Sequence, residues 1–274
     1  MWEFGIVTDE VDDDLRCALG YAKEWGMKRV EFRTLWGKGV WNLTAYEQNE
    51  ALAMIRGEGF EVVGIGSQFL KIPPEFIKIE YDTQVENLKR SMEVAHVFGA
   101  KIVRVLSPLL APGRAGEIKD EPVTDTIASH YLLPVRLAEK EGITLAIENQ
   151  SNTAITTSAH ALQLTEMINS DALGVLWDPA NAHAAGEIDA YPAGYERVRP
   201  RMAHVHIKDT KLTADGSYEW SIVGEGDFDV AGQLDQLTKD GYATTVTLEP
   251  HLRSVEKTAA SAAALHKIMS KDRA

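Results

Sequence analysis

The sequence predicts a single (β/α)8 barrel running through residues 1–274, and three observations carry that expectation. Short apolar runs alternate with amphipathic stretches eight times without a break. Such alternation implies parallel strands joined by right-handed helical crossovers, and eight units in this length suit a closed cylinder. Four of the later runs each end in one ionisable residue, on the face opposite their aliphatics. The turn after the first run, TDEVDDD, is acidic and free of glycine, whereas a doubly wound sheet usually has a Gly-rich phosphate turn there. No linker or compositional shift marks a second domain, and no internal repeat is close enough to imply duplication.

The elements follow from the residues in order. Phe4–Val7 is a short apolar strand, and the acidic Asp9–Asp14 suits the first turn of a helix. Leu15, Ala18, Leu19, Ala22 and Trp25 recur at helical spacing, closed by Gly26. Arg29–Thr34 (RVEFRT) is the second strand, with Val30 and Phe32 outward and Glu31 and Arg33 inward. A Trp/Gly-rich loop (LWGKGVW) precedes a helix capped near Thr44 and reaching Gly57. Glu61–Gln68 (EVVGIGSQ) is the third strand, with glycines at 64 and 66 where side chains would crowd. Tyr81–Phe98 is a helix ending at Gly99, and Lys101–Leu106 (KIVRVL) places Arg104 opposite Val103 and Val105. Ser107–Glu121 carries Pro and Gly and reads as a loop over the site, followed by a helix over Val123–Lys140. Ser158–Asn169 is helical, Asp189–Val198 is a poorer helix broken by Pro192 and Gly194, and Asp215–Asp227 is turn-rich. Val230–Lys239 and the alanine-rich Ser254–Lys271 complete the helical shell.

The last four strands define the candidate centre. In Met202–Asp209 (MAHVHIKD), Ala203, Val205 and Ile207 share one side and His204 and His206 the other, because strand side chains alternate. Ile143–Glu148, Leu173–Asp178 and Thr245–Glu249 repeat the pattern, with Glu148, Asp178 and Glu249 opposite the aliphatics. A barrel's active site lies at the carboxyl ends of its strands, so Glu148, Asp178, His206 and Glu249 should converge inside the mouth. Three carboxylates brought together repel unless something positive compensates them, and one divalent cation would do so. Three oxygens and an imidazole suit an octahedral ion, Mn2+ first, with Co2+, Mg2+ or Zn2+ as alternatives. Each residue alone could equally be a satisfied buried polar group. Four on consecutive strands with one parity favour the metal.

Other residues are candidates for substrate contact. Arg33, Gln68 and Arg104 end strands two, three and four and could bind hydroxyl, carboxylate or phosphate groups; the arginines could instead pair with Glu31. Asn181 and His183 follow Asp178 in DPANAH, which reads as a loop that could reach the substrate. Lys208 could touch it or face solvent, and His251 in LEPH could stand at the rim or in a polar loop. His204, about 6–7 Å below His206, reads as a core or supporting histidine. Trp36 and Trp41 could wall a sugar site, pack as a lid or form a subunit contact.

Composition narrows the class. With 45% hydrophobic and 25% charged residues the chain is globular. A single cysteine, Cys17, excludes a disulfide framework and suits a reducing compartment. No basic segment followed by an apolar run opens the chain, and no apolar run is long enough for a bilayer, so a cytoplasmic location without a membrane partner is expected. The net charge of −13 argues against nucleic acid, whose binding relies on clustered Lys and Arg.

Through VEFRT, GITLAIEN, WDPAN, HVHIKD, VGEGDFD and LEPH, spread over most of the chain, the sequence resembles the sugar phosphate isomerase/epimerase superfamily, the xylose isomerase-like TIM barrels. That group includes ketose 3-epimerases, inosose dehydratases, dehydroshikimate dehydratases and apurinic endonucleases. The resemblance implies a metal held by Glu148, Asp178, His206 and Glu249, and acid and base roles for Glu148 and Glu249 on opposite faces of the substrate. Two departures separate the chain from the ketose epimerases. They usually carry a histidine where Asn181 stands, and an arginine beyond the strand-seven histidine where this chain reads IKDTKL. The endonuclease branch needs extra zinc-binding histidines that Gln68, Arg104 and Lys208–Lys211 do not supply. The resemblance therefore implies a divalent-metal-dependent isomerase or epimerase of a sugar, keto-sugar or sugar acid, phosphorylated or not. The alternative is a lyase or dehydratase starting from the same proton abstraction (inosose or dehydroshikimate dehydratase-like, or a keto-glycoside lyase). A non-catalytic sugar-binding barrel is the remaining reading. The expected partner is a small carbohydrate, and the resemblance admits a homodimer or a homotetramer.

Overall fold

The computed structural model describes residues 2–111, 114 and 117–271. Eight parallel strands close into a cylinder in chain order: β1 (Glu3–Val7), β2 (Arg29–Phe32), β3 (Glu61–Gly66), β4 (Ile102–Val105), β5 (Thr144–Glu148), β6 (Leu173–Trp177), β7 (Met202–Ile207) and β8 (Thr245–Leu248). Closure sets Phe4 of β1 against Val246 of β8, and Ile6 against Leu248. The outer shell comprises α1 (Leu15–Glu24), α2 (Ala45–Gly57), α3 (Ile77–Phe98), α4 (Asp125–Ser129), α5 (Leu132–Glu141), α6 (Ser158–Ile168), α7 (Pro179–Ala184), α8 (Tyr195–Val198), α9 (Val230–Lys239) and α10 (Val255–Lys271). Among the described residues no helix is long and apolar enough to cross a membrane.

Strand parity works as the sequence requires. Val103 and Val105 of β4, Leu145 and Ile147 of β5, and Val205 and Ile207 of β7 are fully buried in the apolar core. Each such side chain contributes about 1.5–3 kcal/mol of transfer free energy. Trp177 is also sealed on that side, where its indole Nε1 donates to Gln233 of α9 at 3.2 Å. The polar set faces the bore, where β3 makes room for it. A Cβ on Gly64 would lie 3.1 Å from the Glu31 carboxylate, and one on Gly66 only 2.4 Å from Cγ of Arg33.

Local structure departs from expectation in three places. The single helix expected over Val123–Lys140 is two, α4 and α5, separated at His130–Tyr131. In one continuous helix residue 134 would donate to the His130 carbonyl, but a proline has no N–H to give. The Tyr81 hydroxyl takes that carbonyl instead, at 2.8 Å. DPANAH is a short helix rather than a loop: Asp178 caps it through a hydrogen bond from the Asn181 amide at 2.9 Å, and Pro179 occupies its first turn, where the missing donor costs nothing. The turn-rich stretch after β7 contains an antiparallel hairpin, Asp209–Leu212 with Tyr218–Ser221. Ser107–Glu121, read as a loop over the site, includes residues 112–113 and 115–116, which lie outside the described residues.

Candidate active site

Glu148 ends β5, Asp178 and Glu249 directly follow β6 and β8, and His206 lies near the end of β7. Each is buried, and each offers one ligand atom within 4.8 Å of those of the other three. Imidazole Nδ1 of His206 stands 3.5 Å from a Glu249 oxygen and 3.8 Å from a Glu148 oxygen. Its other nitrogen, Nε2, is 3.1 Å from Glu31, which also bonds His204, and His204 lies 3.2 Å from the Thr247 hydroxyl. Glu31 thereby holds the ring by its far side and turns Nδ1 toward the carboxylates.

Basic side chains compensate the three acids. The Arg104 guanidinium donates to Glu148 at 3.0 Å and to Glu249 at 3.3 Å. The Lys208 ammonium bridges Asp178 at 2.5 Å and Glu249 at 2.8 Å, and sits 5.0 Å from the centre of the Trp220 ring. Arg33 adds a hydrogen bond to Glu249 at 3.1 Å while binding Asp9 and Glu10 with its other nitrogens. Gln150 and Asn181 donate to the two oxygens of Glu148 at 3.0 and 3.1 Å.

These contacts decide the protonation states. Burial and the neighbouring Glu249 charge push Glu148 up, yet Arg104 and His206 bring it down to about 2. Burial opposes ionisation of Glu249 too, and Lys208, His251 and His206 hold it well below the usual carboxylate range. For Asp178 burial prevails over the pull of Lys208, so that carboxyl is raised. Burial disfavours charge on His206, but Glu31 and Glu249 outweigh it and the imidazole is raised well above its ordinary value.

The argument from repulsion, which called for a cation among the carboxylates, needs correction: Arg33, Arg104 and Lys208 already supply three positive charges. What fits a divalent ion is the donor set itself. Nδ1 of His206 is buried without a hydrogen-bond partner, and oxygens of Glu148, Asp178 and Glu249 surround it. One imidazole nitrogen with three carboxylates suits an ion of intermediate hardness.

A cavity of about 560 Å3 opens above this floor, walled by Arg33, Asn181, Trp220 and His251 among others. His251 lies 2.9 Å from Glu10 and 3.3 Å from Glu249. The structure thus brings Arg33, Arg104, Asn181, Lys208 and His251 to the same place as the four acid and imidazole groups. Lys208, whose exposure the sequence left open, is completely buried, and Glu31 pairs with histidines rather than with Arg33 or Arg104. Two candidates go elsewhere. His183 bonds the Thr210 hydroxyl at 2.8 Å and packs edge-on against Tyr218. Gln68 lines a separate small cavity with Trp41, Phe69 and Gln84. Trp36 packs against the core, and the aromatic wall is Trp220.

Several wall residues escaped the sequence reading. Gln150 carried a usable signal, since it stands two residues beyond Glu148. Glu10 was assigned to a helix start, but α1 begins only at Leu15, and Glu10 turns to the site in a 3-10 turn over Thr8–Glu10. Trp220 sits in the unforeseen hairpin, which is fastened through Asp209: its buried carboxylate accepts from the amides of Gly224, Gly226 and Phe228 at 2.8, 3.1 and 3.4 Å. Lys71 and Arg253 lie in loops with no pattern to mark them.

The chain belongs to the xylose isomerase-like TIM barrel family, whose sequence profile matches residues 19–270. It is 25% identical over 135 residues to an inosose dehydratase of Yersinia enterocolitica, a match covering 46% of this chain and 45% of that one. The chain spans about half the length of the curated relatives it matches. In structure it is similar to a D-tagatose 3-epimerase-like protein (TM-score 0.76, 20% identity, covering 98% of this chain and 97% of the other). It is likewise similar to a xylose isomerase-like TIM barrel protein from Mycobacterium smegmatis solved in complex with magnesium (TM-score 0.73, 18% identity, covering 100% and 97%).

Proposed function

We propose that the chain is a divalent-metal-dependent isomerase or epimerase of a sugar, keto-sugar or sugar acid, working by proton transfer next to a carbonyl. The observation that carries this reading is the pair Glu148 and Glu249. Both are buried yet held ionised, they offer oxygens within 4.8 Å of each other, and they contact Arg33, Gln150, Asn181 and His251, which line a polar cavity. The ionised carboxylate is the proton-accepting form, and a substrate that loosens the contact of Glu148 with Arg104 or of Glu249 with Lys208 would raise its basicity toward the range a general base needs.

Glu148, Asp178, His206 and Glu249 would hold the ion, with Mn2+ the first candidate, and a bound ion supplies polarisation of the carbonyl and the neighbouring hydroxyl, which acidifies the C–H between them. One glutamate removes that proton and the other returns one from its own side, giving the epimer. Gln150 and Asn181 fix the orientation of Glu148, while Arg104 spans both glutamates and keeps their spacing. Trp220 offers an apolar face to a sugar ring.

A second reading, a dehydratase, draws support from the inosose dehydratase relative. It shares the first proton abstraction and then expels a hydroxyl in place of reprotonation. Incubation with Mn2+ and a panel of ketoses and sugar acids in deuterium oxide tests both. Deuterium entering beside the carbonyl of recovered sugar supports the isomerase, whereas a product lighter by one water identifies the dehydratase. Exchange that continues at full rate after chelation, or in Glu148→Gln and Glu249→Gln, would refute the mechanism.

A further inference from the structure

We propose that Lys71 and Arg253 form an anion-binding subsite on the cavity wall, so that the substrate carries a carboxylate or a phosphate ester away from its reacting carbon. This inference names the substrate class for the function proposed above and rests on that reading for the word substrate, though not for the binding itself.

The argument begins with how cations are distributed around the cavity. Arg33, Arg104, Lys208 and His251 each lie within 3.3 Å of at least one carboxylate oxygen. Their charges are committed to the floor of the site. Lys71 and Arg253 also line the cavity, yet among the described residues neither makes an ion pair or a side-chain hydrogen bond. Lys71 is half-buried, and burial pulls its ammonium below the usual lysine value. Taking a charge partly out of water without a partner costs free energy, and an anion arriving in the cavity would recover it.

The backbone supplies an independent observation. Leu70, immediately before Lys71, has φ 64°, and Arg253 has φ 48°. Left-handed backbone is costly for residues with a Cβ and collects at binding and catalytic sites, where the surrounding structure enforces it. Leu70 is pinned by complete burial of its side chain and by a hydrogen bond from its amide to Gln84 at 3.2 Å. The strained turn therefore directs the next residue, Lys71, to the cavity rather than into the shell. Ser151 and Asn152 line the same cavity and add neutral polar groups of the kind that complete a carboxylate or phosphate site. No acidic residue other than Glu10 lines this cavity among the described residues, and Glu10 is occupied by Arg33 and His251.

Binding to the protein, measured by titration calorimetry with and without Mn2+, tests the proposal. The probes are D-fructose, D-fructose 6-phosphate and D-gluconate. At least one anionic probe should bind about 10-fold or more tighter than fructose, a typical effect of charge-assisted hydrogen bonds. Lys71→Gln and Arg253→Gln should each remove most of that advantage while leaving fructose binding unchanged, and Lys71→Arg should retain it. Tight binding of the phosphate ester alone identifies a sugar phosphate, and of gluconate alone a sugar acid. Equal affinities for fructose and both anions would overturn the proposal, as would anion binding unaffected by either glutamine variant in protein of normal melting temperature. Because the readout is affinity, a protein that fails the deuterium experiment but discriminates these probes keeps its anion subsite and loses only the proposed reaction.

Discussion

Two sides of β7 hide equally from water and do different work. Val205 and Ile207 face the shell, His204, His206 and Lys208 face the bore, and none is more than 1% exposed. On the shell side the stabilisation is non-directional, arising from apolar area, and a similar side chain of similar volume serves as well. On the bore side every group depends on a particular partner, because an unpaired buried charge costs several kcal/mol. Burial alone does not tell these sides apart; the number of specific contacts each residue makes does.

Lys208→Met gives the largest expected effect and strikes the bore side. The ammonium bridges Asp178 and Glu249, so its removal leaves two buried carboxylates short of a partner, at about 3–5 kcal/mol. Denaturant unfolding should show this loss, and the exchange rate of the remaining folded protein should fall too. A cost smaller than that of a shell substitution would break the comparison. Gly66→Ala comes next. The new Cβ would lie 2.4 Å from Cγ of Arg33, displacing a guanidinium that binds Glu249; kcat/KM should drop about 10- to 100-fold. Steady-state kinetics check it, and unchanged kcat/KM would mean that the bore tolerates added volume as the shell does.

Ile207→Val, on the shell side of the same strand, should cost about 1 kcal/mol with activity per folded molecule unchanged. The smallest effect contrasts buried imidazoles. His206 in the bore is raised, whereas His160 in α6 is lowered by burial. The Thr156 amide donates to Nδ1 of His160 and its Nε2 meets the Glu121 carbonyl at 2.8 Å, an arrangement for the neutral ring. Since the unfolded chain takes up that proton first, the stability His160 contributes is complete above its unfolded pKa of about 6.5 and declines as pH falls below it. His160→Gln should lessen any loss of melting temperature between neutral and mildly acidic pH relative to the wild type. An unaltered slope would rule His160 out as its source.

The same contrast explains what was legible from residues alone. Apolar parity located Glu148, Asp178, His206 and Glu249 because strands have a strict two-residue period and the barrel leaves polar groups only one place to go. Pairing partners were not legible. Arg33 reaches Asp9 and Glu10 across 24 and 23 residues of sequence, and nothing local distinguishes that choice from Glu31. Lys208 was ambiguous for the same reason: position after a strand does not say whether a long side chain folds back into the bore. Lys71 and Arg253 belong to loops and Trp220 to a hairpin outside the barrel, and their course is set by tertiary contacts rather than by the barrel's periodicity. His183 misled because its spacing from Asp178 was read as loop reach, whereas a short helix carries it against Tyr218.

The Asp209 clasp has a consequence for selectivity. Because that carboxylate accepts from the amides of Gly224 and Gly226, the chain leaving the hairpin is tied back to the end of β7, and Trp220 is anchored on both sides. Under the proposed reaction, an aromatic wall tied on both sides would select among sugars by shape before any proton moves.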